Sequence, residues 1–173
     1  MSSMREIAAK MKMAAPQLAV SSNEQRNNAL KAVKEALLLN KEAIFEANHK
    51  DMEAAKENNI APAVMKRLKF DEGKLADVCG GIDQLVNLED PLGKQSLARE
   101  LDEGLTLYRV SVPIGVIGII FEARPDALVQ ISSLCIKSGN CAILKGGKET
   151  VNTNKVLFDI IHKAVMDAGL PEY

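Results

Sequence analysis

Apolar residues in the first ninety positions recur with the period of a helix. Met4, Ile7, Ala8, Met11 and Ala15 share one face, and Ser3-x-x-Glu6 has the spacing of a capping box. Pro16 is expected to break or kink that helix. The same start signal returns at Ser22-x-x-Gln25, ahead of Leu30, Val33 and Leu37 on one face. A third helix is expected from Asn40 through Ile44 and Ala47, and a fourth after "NNIAP", where Pro62 suits a first helical position. Asp71 is placed to cap a fifth, whose face is Leu75, Val78, Ile82, Leu85 and Val86, and "LEDPLGK" stops it.

The period changes after Gly93. "LARELDEGLTLYRVSV" reads as two extended runs around a "DEG" turn, with Leu105, Leu107 and Arg109 on one face and Thr106, Tyr108 and Val110 on the other. Then come a strand, "GVIGIIF", a helix, "PDALVQISSLCIKSG", a second strand, "CAILK", and a second helix, "TNKVLFDIIHKAVMDAG". The expected helix faces are Leu128, Ile131, Leu134 and Cys135, then Val156, Ile160, Ile161, Ala164 and Val165. Near-continuous apolar strands are what a parallel sheet covered by helices on both faces requires, so both strands are expected to be buried. The fold class is α/β: amino-terminal helices over residues 1–92, then a hairpin and a parallel, Rossmann-like βαβα unit over residues 93–173.

Composition narrows the function. With 22 basic against 23 acidic residues, no global field points to nucleic acid or to an anionic membrane. No apolar run approaches the ~20 residues of a membrane span, and the charged start "MSSMREIAAKMKM" lacks the apolar core of a secretory signal. Three cysteines, Cys79, Cys135 and Cys141, form no CxxC pair, which suits a reduced, cytoplasmic compartment. Each lies in an apolar context and reads as a small core residue. His49 and His162 have no ligand pattern around them, so no metal site is expected.

Candidate chemistry sits where the two strands end. Ligands of open parallel sheets bind at the carboxyl ends of the strands, and both "FEARPD" and "KGGKE" fall there. Gly146 and Gly147 let backbone come close to a ligand, with Lys145 and Lys148 on either side, an arrangement suited to a phosphate or a ribose phosphate. It is neither a G-x-G-x-x-G nor a Walker A sequence, and a solvated turn between strand and helix is the plainer reading. Arg124 stands just before a Pro-initiated helix. Either an anionic ligand meets its guanidinium, or Glu122 or Asp126 does.

The stretch "VPIGVIGIIFEARPDALVQISSLCIKSGNCAILKGGKET" resembles the gamma-glutamyl phosphate reductase family of the aldehyde dehydrogenase superfamily, and so do "RLKFDEGKLADVCGGIDQLVNLEDPLG" and "LARELDEGLTLYRVSVPIG". The resemblance covers essentially the whole chain. It implies reduction of L-glutamyl 5-phosphate to L-glutamate 5-semialdehyde by NADPH, with release of phosphate, in proline biosynthesis. It implies Lys145 at the cofactor's adenosine ribose, with Gly146 and Gly147 beside it. Lys148 falls where NAD-preferring relatives often carry a carboxylate, which suits the 2′-phosphate of NADP. Glu122 and Arg124 are implied at the substrate. Ala123 falls where ordinary aldehyde dehydrogenases place an oxyanion-stabilising asparagine.

The family's catalytic cysteine lies in a further, downstream domain, and none of the three cysteines here has its context. The chain is therefore read as the amino-terminal part, holding cofactor residues but no catalytic residue, and as inactive in isolation. The hairpin resembles one that carries subunit contacts in the superfamily, which would make a homo-oligomer; it is equally a sheet edge that a further domain would cover. Two other functions fit the residues alone: a non-catalytic phosphate or nucleotide-binding module, and a helical interaction protein working through the first ninety residues.

Overall fold

The computed structural model describes residues 3–172; Met1, Ser2 and Tyr173 lie outside it. Five helices come first: α1 (Met4–Ala19), α2 (Asn23–Leu39), α3 (Lys41–Glu57), α4 (Pro62–Leu68) and α5 (Glu72–Asn87). Both expected capping boxes form. Ser3 and Glu6 cap α1 reciprocally, and Ser22 and Gln25 do the same for α2, at 3.1 and 2.8 Å. Asp71 accepts from the Lys74 amide at 3.1 Å and starts α5. Ser22→Ala removes one acceptor and is expected to cost about 1 kcal/mol, lowering the melting temperature by about 2–4 °C in a calorimetric scan.

Pro16 does not end α1. It sits in the last turn, where the helix runs on to Ala19 and the Val20 amide still donates to the Pro16 carbonyl at 3.2 Å. The buried stripe is Met11, Ala15 and Leu18, and Met4, expected on that face, is exposed. In α2 the face Ala29, Leu30, Val33 and Leu37 is fully buried.

β1 (Gln95–Asp102) and β2 (Leu105–Val110) form an antiparallel hairpin with Asp102 opposite Leu105, closed by Glu103 and Gly104; Gly104 takes φ +74°, which only glycine adopts readily. Every residue of the hairpin but Leu97 is exposed. A separate sheet holds β3 (Val116–Ile120) and β4 (Cys141–Lys145), parallel and in register from Val116 opposite Cys141 to Ile120 opposite Lys145. α6 (Pro125–Lys137) connects them, and α7 (Val151–Asp167) follows β4 through a 3-10 turn at Lys148–Thr150.

The sheet is less buried than its composition predicts: Cys141 alone among its residues is buried, and Ile120 is 81% exposed. Its apolar residues face cover from α1 and α6, but among the described residues the sheet is only two strands wide. In α6 the buried stripe is Leu128, Val129, Cys135 and Ile136, whereas Leu134 is 57% exposed. α7 buries Leu157, Ile161 and Ala164. One hydrophobic cluster joins residues of α1, α2, α3 and α5 to residues of α6, β4 and α7, so the helices pack directly on the βαβ unit.

Candidate functional site

The two strand-end segments meet. The ladder extends one step beyond β3, with the Phe121 amide donating to the Lys145 carbonyl at 3.0 Å. The chain then turns sharply, the Arg124 amide donating to the Glu122 carbonyl at 2.8 Å, and Pro125 opens α6 at its first position. Opposite, β4 ends at Lys145, and the two glycines pass beneath Phe121 and Ala123. A Cβ on Gly146 would lie 3.2 Å from Cζ of Phe121 and would overlap Nδ2 of Asn154. A Cβ on Gly147 would lie 3.2 Å from the Ala123 amide nitrogen. Close approach of Asn154 thus requires a glycine at 146, whereas at 147 the nearest atom is the flexible end of Glu149, 2.7 Å from such a Cβ.

A crevice of about 550 Å³ lies there, with Phe121, Glu122, Lys145, Gly147 and Glu149 among its lining residues, joined by Arg67 from the last turn of α4. Arg67 pairs with Glu122 at 3.0 Å, and both are largely exposed. Periodicity marks Arg67 only as a basic residue near a helix end, so nothing in the sequence links it to a loop 55 residues away.

Two of the expected residues stand elsewhere. Lys148 opens the 3-10 turn and lines a neighbouring depression of about 440 Å³ with Asp51, Asn58 and Asn152, not the crevice itself. Arg124 is turned to Asp126, Nη2 to Oδ2 at 3.1 Å, and Lys74 reaches the same oxygen at 3.2 Å. Of the ion-pair partners open to Arg124, Asp126 is the one it takes. Burial pushes the Asp126 carboxyl up, yet the hydrogen bonds and charges of Arg124 and Lys74 outweigh it and hold the group below its ordinary range.

The three cysteines are buried and none is in a disulfide. Burial raises the pKa of each, in Cys79 against a weaker pull from Lys34. None lines the crevice. Among the described residues no cluster of three His, Cys, Asp or Glu side chains could hold a metal ion, and no helix is long and apolar enough to cross a membrane.

No protein-family model matches the chain. The gamma-glutamyl phosphate reductase of Ruminiclostridium cellulolyticum is 52% identical over 168 residues, which is 97% of this chain and 39% of the relative. The crystal structure of gamma-glutamyl phosphate reductase from Saccharomyces cerevisiae superposes with a TM-score of 0.93 at 44% identity, over 99% of this chain and 45% of that one. The enzyme of the same name from Thermotoga maritima gives a TM-score of 0.94 at 32% identity, over 99% of this chain and 41% of that one. The helices and βαβα unit accordingly share the fold of these reductases and resemble in fold the Rossmann-like domain of aldehyde dehydrogenases. In sequence and in fold the chain matches the gamma-glutamyl phosphate reductase family, spanning 39% of the length of its Ruminiclostridium relative.

Proposed function

We propose that this chain is the cofactor-binding part of an enzyme that reduces L-glutamyl 5-phosphate to L-glutamate 5-semialdehyde with NADPH, releasing phosphate, in cytoplasmic proline biosynthesis. The observation that supports this most is the joining of the two strand-end loops around one crevice with the glycine turn at its edge, in a chain that matches the reductase family. Lys145, Gly146 and Gly147 would hold the adenosine ribose end of the cofactor. NADPH, when bound, supplies the hydride that replaces phosphate on the acyl carbon.

Lys148, one depression away, would reach the 2′-phosphate from outside the turn. Arg124 and Glu122 would stand on the substrate side. Arg124 and Lys74 share Asp126, which leaves two half-exposed cations on one carboxylate and a net positive charge for an acyl phosphate. Residues 1–92 form the helical support, residues 93–173 the cofactor part, and the nucleophilic cysteine belongs to a domain outside this chain. The exposed hairpin is proposed as a contact between copies. With its thiols buried, the chain alone binds and does not turn over.

The test is the dissociation constant of NADPH and NADH for the chain and two variants, at two salt concentrations. Lys148→Glu is expected to weaken NADPH by roughly tenfold, the low end for a charge-assisted contact because Lys148 is exposed, and to spare or improve NADH. Lys145→Ala is expected to weaken both cofactors alike. An unchanged NADPH to NADH ratio in Lys148→Glu would make Lys148 a solvated loop residue. No binding of either cofactor to the unaltered chain would remove the reading.

A further inference from the structure

We propose that Asp51, on α3, is a positioning residue for the glycine turn, acting through the first turn of α7. The proposal rests on the reading of that turn as a cofactor contact. α7 lacks a cap of its own, because Thr150 precedes it without making a side-chain capping bond. The first amides of a helix have no internal acceptors, so a buried helix start must find them elsewhere. Asp51, only 3% exposed, supplies them from another helix. Its Oδ1 accepts from the Asn152 amide at 3.2 Å and from Asn152 Nδ2 at 2.8 Å. Its Oδ2 accepts from the Thr153 amide at 2.8 Å and from Thr153 Oγ1 at 2.6 Å.

The contact reaches the turn through bonds on both sides. Asn48, three residues earlier on α3, donates to Thr153 Oγ1 at 3.3 Å and to the Leu68 carbonyl at 2.8 Å, and accepts from the Phe70 amide at 2.8 Å. α3 is therefore fixed at the same point to the segment joining α4 and α5. From α7, Asn154 Nδ2 donates to Thr150 Oγ1 at 2.8 Å, and Thr150 Oγ1 donates to the Gly147 carbonyl at 3.2 Å. Thr150 and Thr153 are fully buried, so neither has water as an alternative partner. Asn154 Nδ2 is also the atom that a Cβ on Gly146 would overlap. Both glycines are thus held against side chains of the helix turn that Asp51 anchors.

A second consequence follows from charge. Two amides at the start of α7, those of Asn152 and Thr153, are already taken by a carboxylate, so these two are not available to a ligand phosphate as they would be in a glycine-rich phosphate loop. Anion contacts near this turn fall to lysine side chains, and where those side chains start is set by the turn that Asp51 holds.

Thr153→Val keeps the shape of the side chain and removes the hydroxyl donor, Thr153→Ser restores the donor, and Asp51→Asn turns one acceptor oxygen into a donor. Each is compared with the unaltered 173-residue chain at a temperature where circular dichroism shows it folded. The readouts are amide chemical shifts and exchange by NMR, and the dissociation constant for NADPH. Asp51→Asn and Thr153→Val are expected to move the Gly146 and Gly147 resonances and to raise exchange at Asn152 and Thr153 about tenfold. The hairpin amides should stay in place. NADPH affinity should fall about tenfold in both and return in Thr153→Ser.

A lower melting temperature with unmoved glycine resonances and unchanged affinity would overturn the proposal, because a cap that only stabilises does that and no more. If the unaltered chain binds no NADPH, the cofactor reading falls, and the glycine resonances decide on Asp51: moved, the positioning role stands; unmoved, it is overturned. Should Asp51→Asn fail to fold, the Thr153 pair carries the same comparison.

Discussion

Asp90→Ala is expected to lower the melting temperature of the chain by about 6–12 °C, corresponding to a loss of about 3 kcal/mol. Arg26, 1% exposed, lies on α2. Its Nη2 donates to both carboxylate oxygens of Asp90, at 2.7 and 2.8 Å, its Nε to the Lys137 carbonyl at 3.1 Å, and its Nη1 to the Ser21 carbonyl. Lys137 is 3% exposed as well, with its ammonium held by Asn27 Oδ1 and the Leu88 carbonyl, each at 2.9 Å. Burial lowers its pKa, Asp90 raises it and Arg26 lowers it further.

Asp90 is therefore the ion-pair partner of a buried guanidinium, and its field also favours the nearby Lys137 ammonium, whose own bonds go to neutral oxygens; removing it leaves Arg26 without its counter-charge. A lost partner of a buried ion pair costs about 3–5 kcal/mol, and the lower end applies because the Asp90 side chain keeps 32% of its exposure. Asp90→Asn keeps an acceptor for Arg26 or for the Leu92 amide, which Asp90 Oδ1 now accepts at 3.0 Å, and should lose less. Thermal melts of the three proteins give the order: unaltered, Asn, Ala. Equal melting temperatures for the Ala variant and the unaltered chain would mean that water replaces the carboxylate at no cost.

What could be read in the sequence divides by range. The capping boxes, the Asp71 cap, Pro62 at a helix start and the end of the second strand at Lys145 are local patterns, and they stand where periodicity and spacing put them, while the strand expected over "GVIGIIF" is one residue shorter at each end, Val116–Ile120. The convergence of "FEARPD" and "KGGKE" follows from parallel topology, which the alternation of strand and helix already implied. The pairs that shape the site were hidden because each joins residues far apart: Arg67 with Glu122, Asp51 with Thr153, Arg26 with Asp90.

Helical periodicity also misleads at Lys137. A lysine at a helix end belongs outside by its charge, yet here the carbonyls of Val86 and Leu88 draw it in. That burial accompanies a stripe on α6 that takes Val129 and Ile136 inside and leaves Leu134 exposed. The exposure of the sheet was equally unreadable, because an apolar strand carries no mark of how many neighbours it has.

Gly146→Ala and Gly147→Ala should separate stability from cofactor affinity. Neither glycine needs a left-handed backbone, so an alanine is not strained by φ at either position and what its Cβ meets decides the outcome. At Gly146 it meets Asn154 Nδ2 and the Phe121 ring, at 3.2 and 3.3 Å for the latter. Asn154 cannot swing aside without giving up its bond to the buried Thr150, and the Phe121 backbone that carries the ring is held by its amide to the Lys145 carbonyl. Overpacking of this kind costs about 1–3 kcal/mol, more than the ~0.4–1 kcal/mol that alanine returns by restricting the unfolded chain.

At Gly147 the nearest atom, 2.7 Å away, is the end of the flexible Glu149 side chain, which can move. The Ala123 amide nitrogen at 3.2 Å needs to give only slightly. Gly147→Ala should therefore melt within about 3 °C of the unaltered chain, while Gly146→Ala melts lower by several degrees. NADPH affinity should follow the other order at Gly147, falling about tenfold because the methyl group enters the crevice where backbone is proposed to approach the cofactor. Equal melting temperatures for the two variants would show that the Asn154 contact gives way freely. An unchanged dissociation constant in Gly147→Ala would show that no ligand comes close to this backbone.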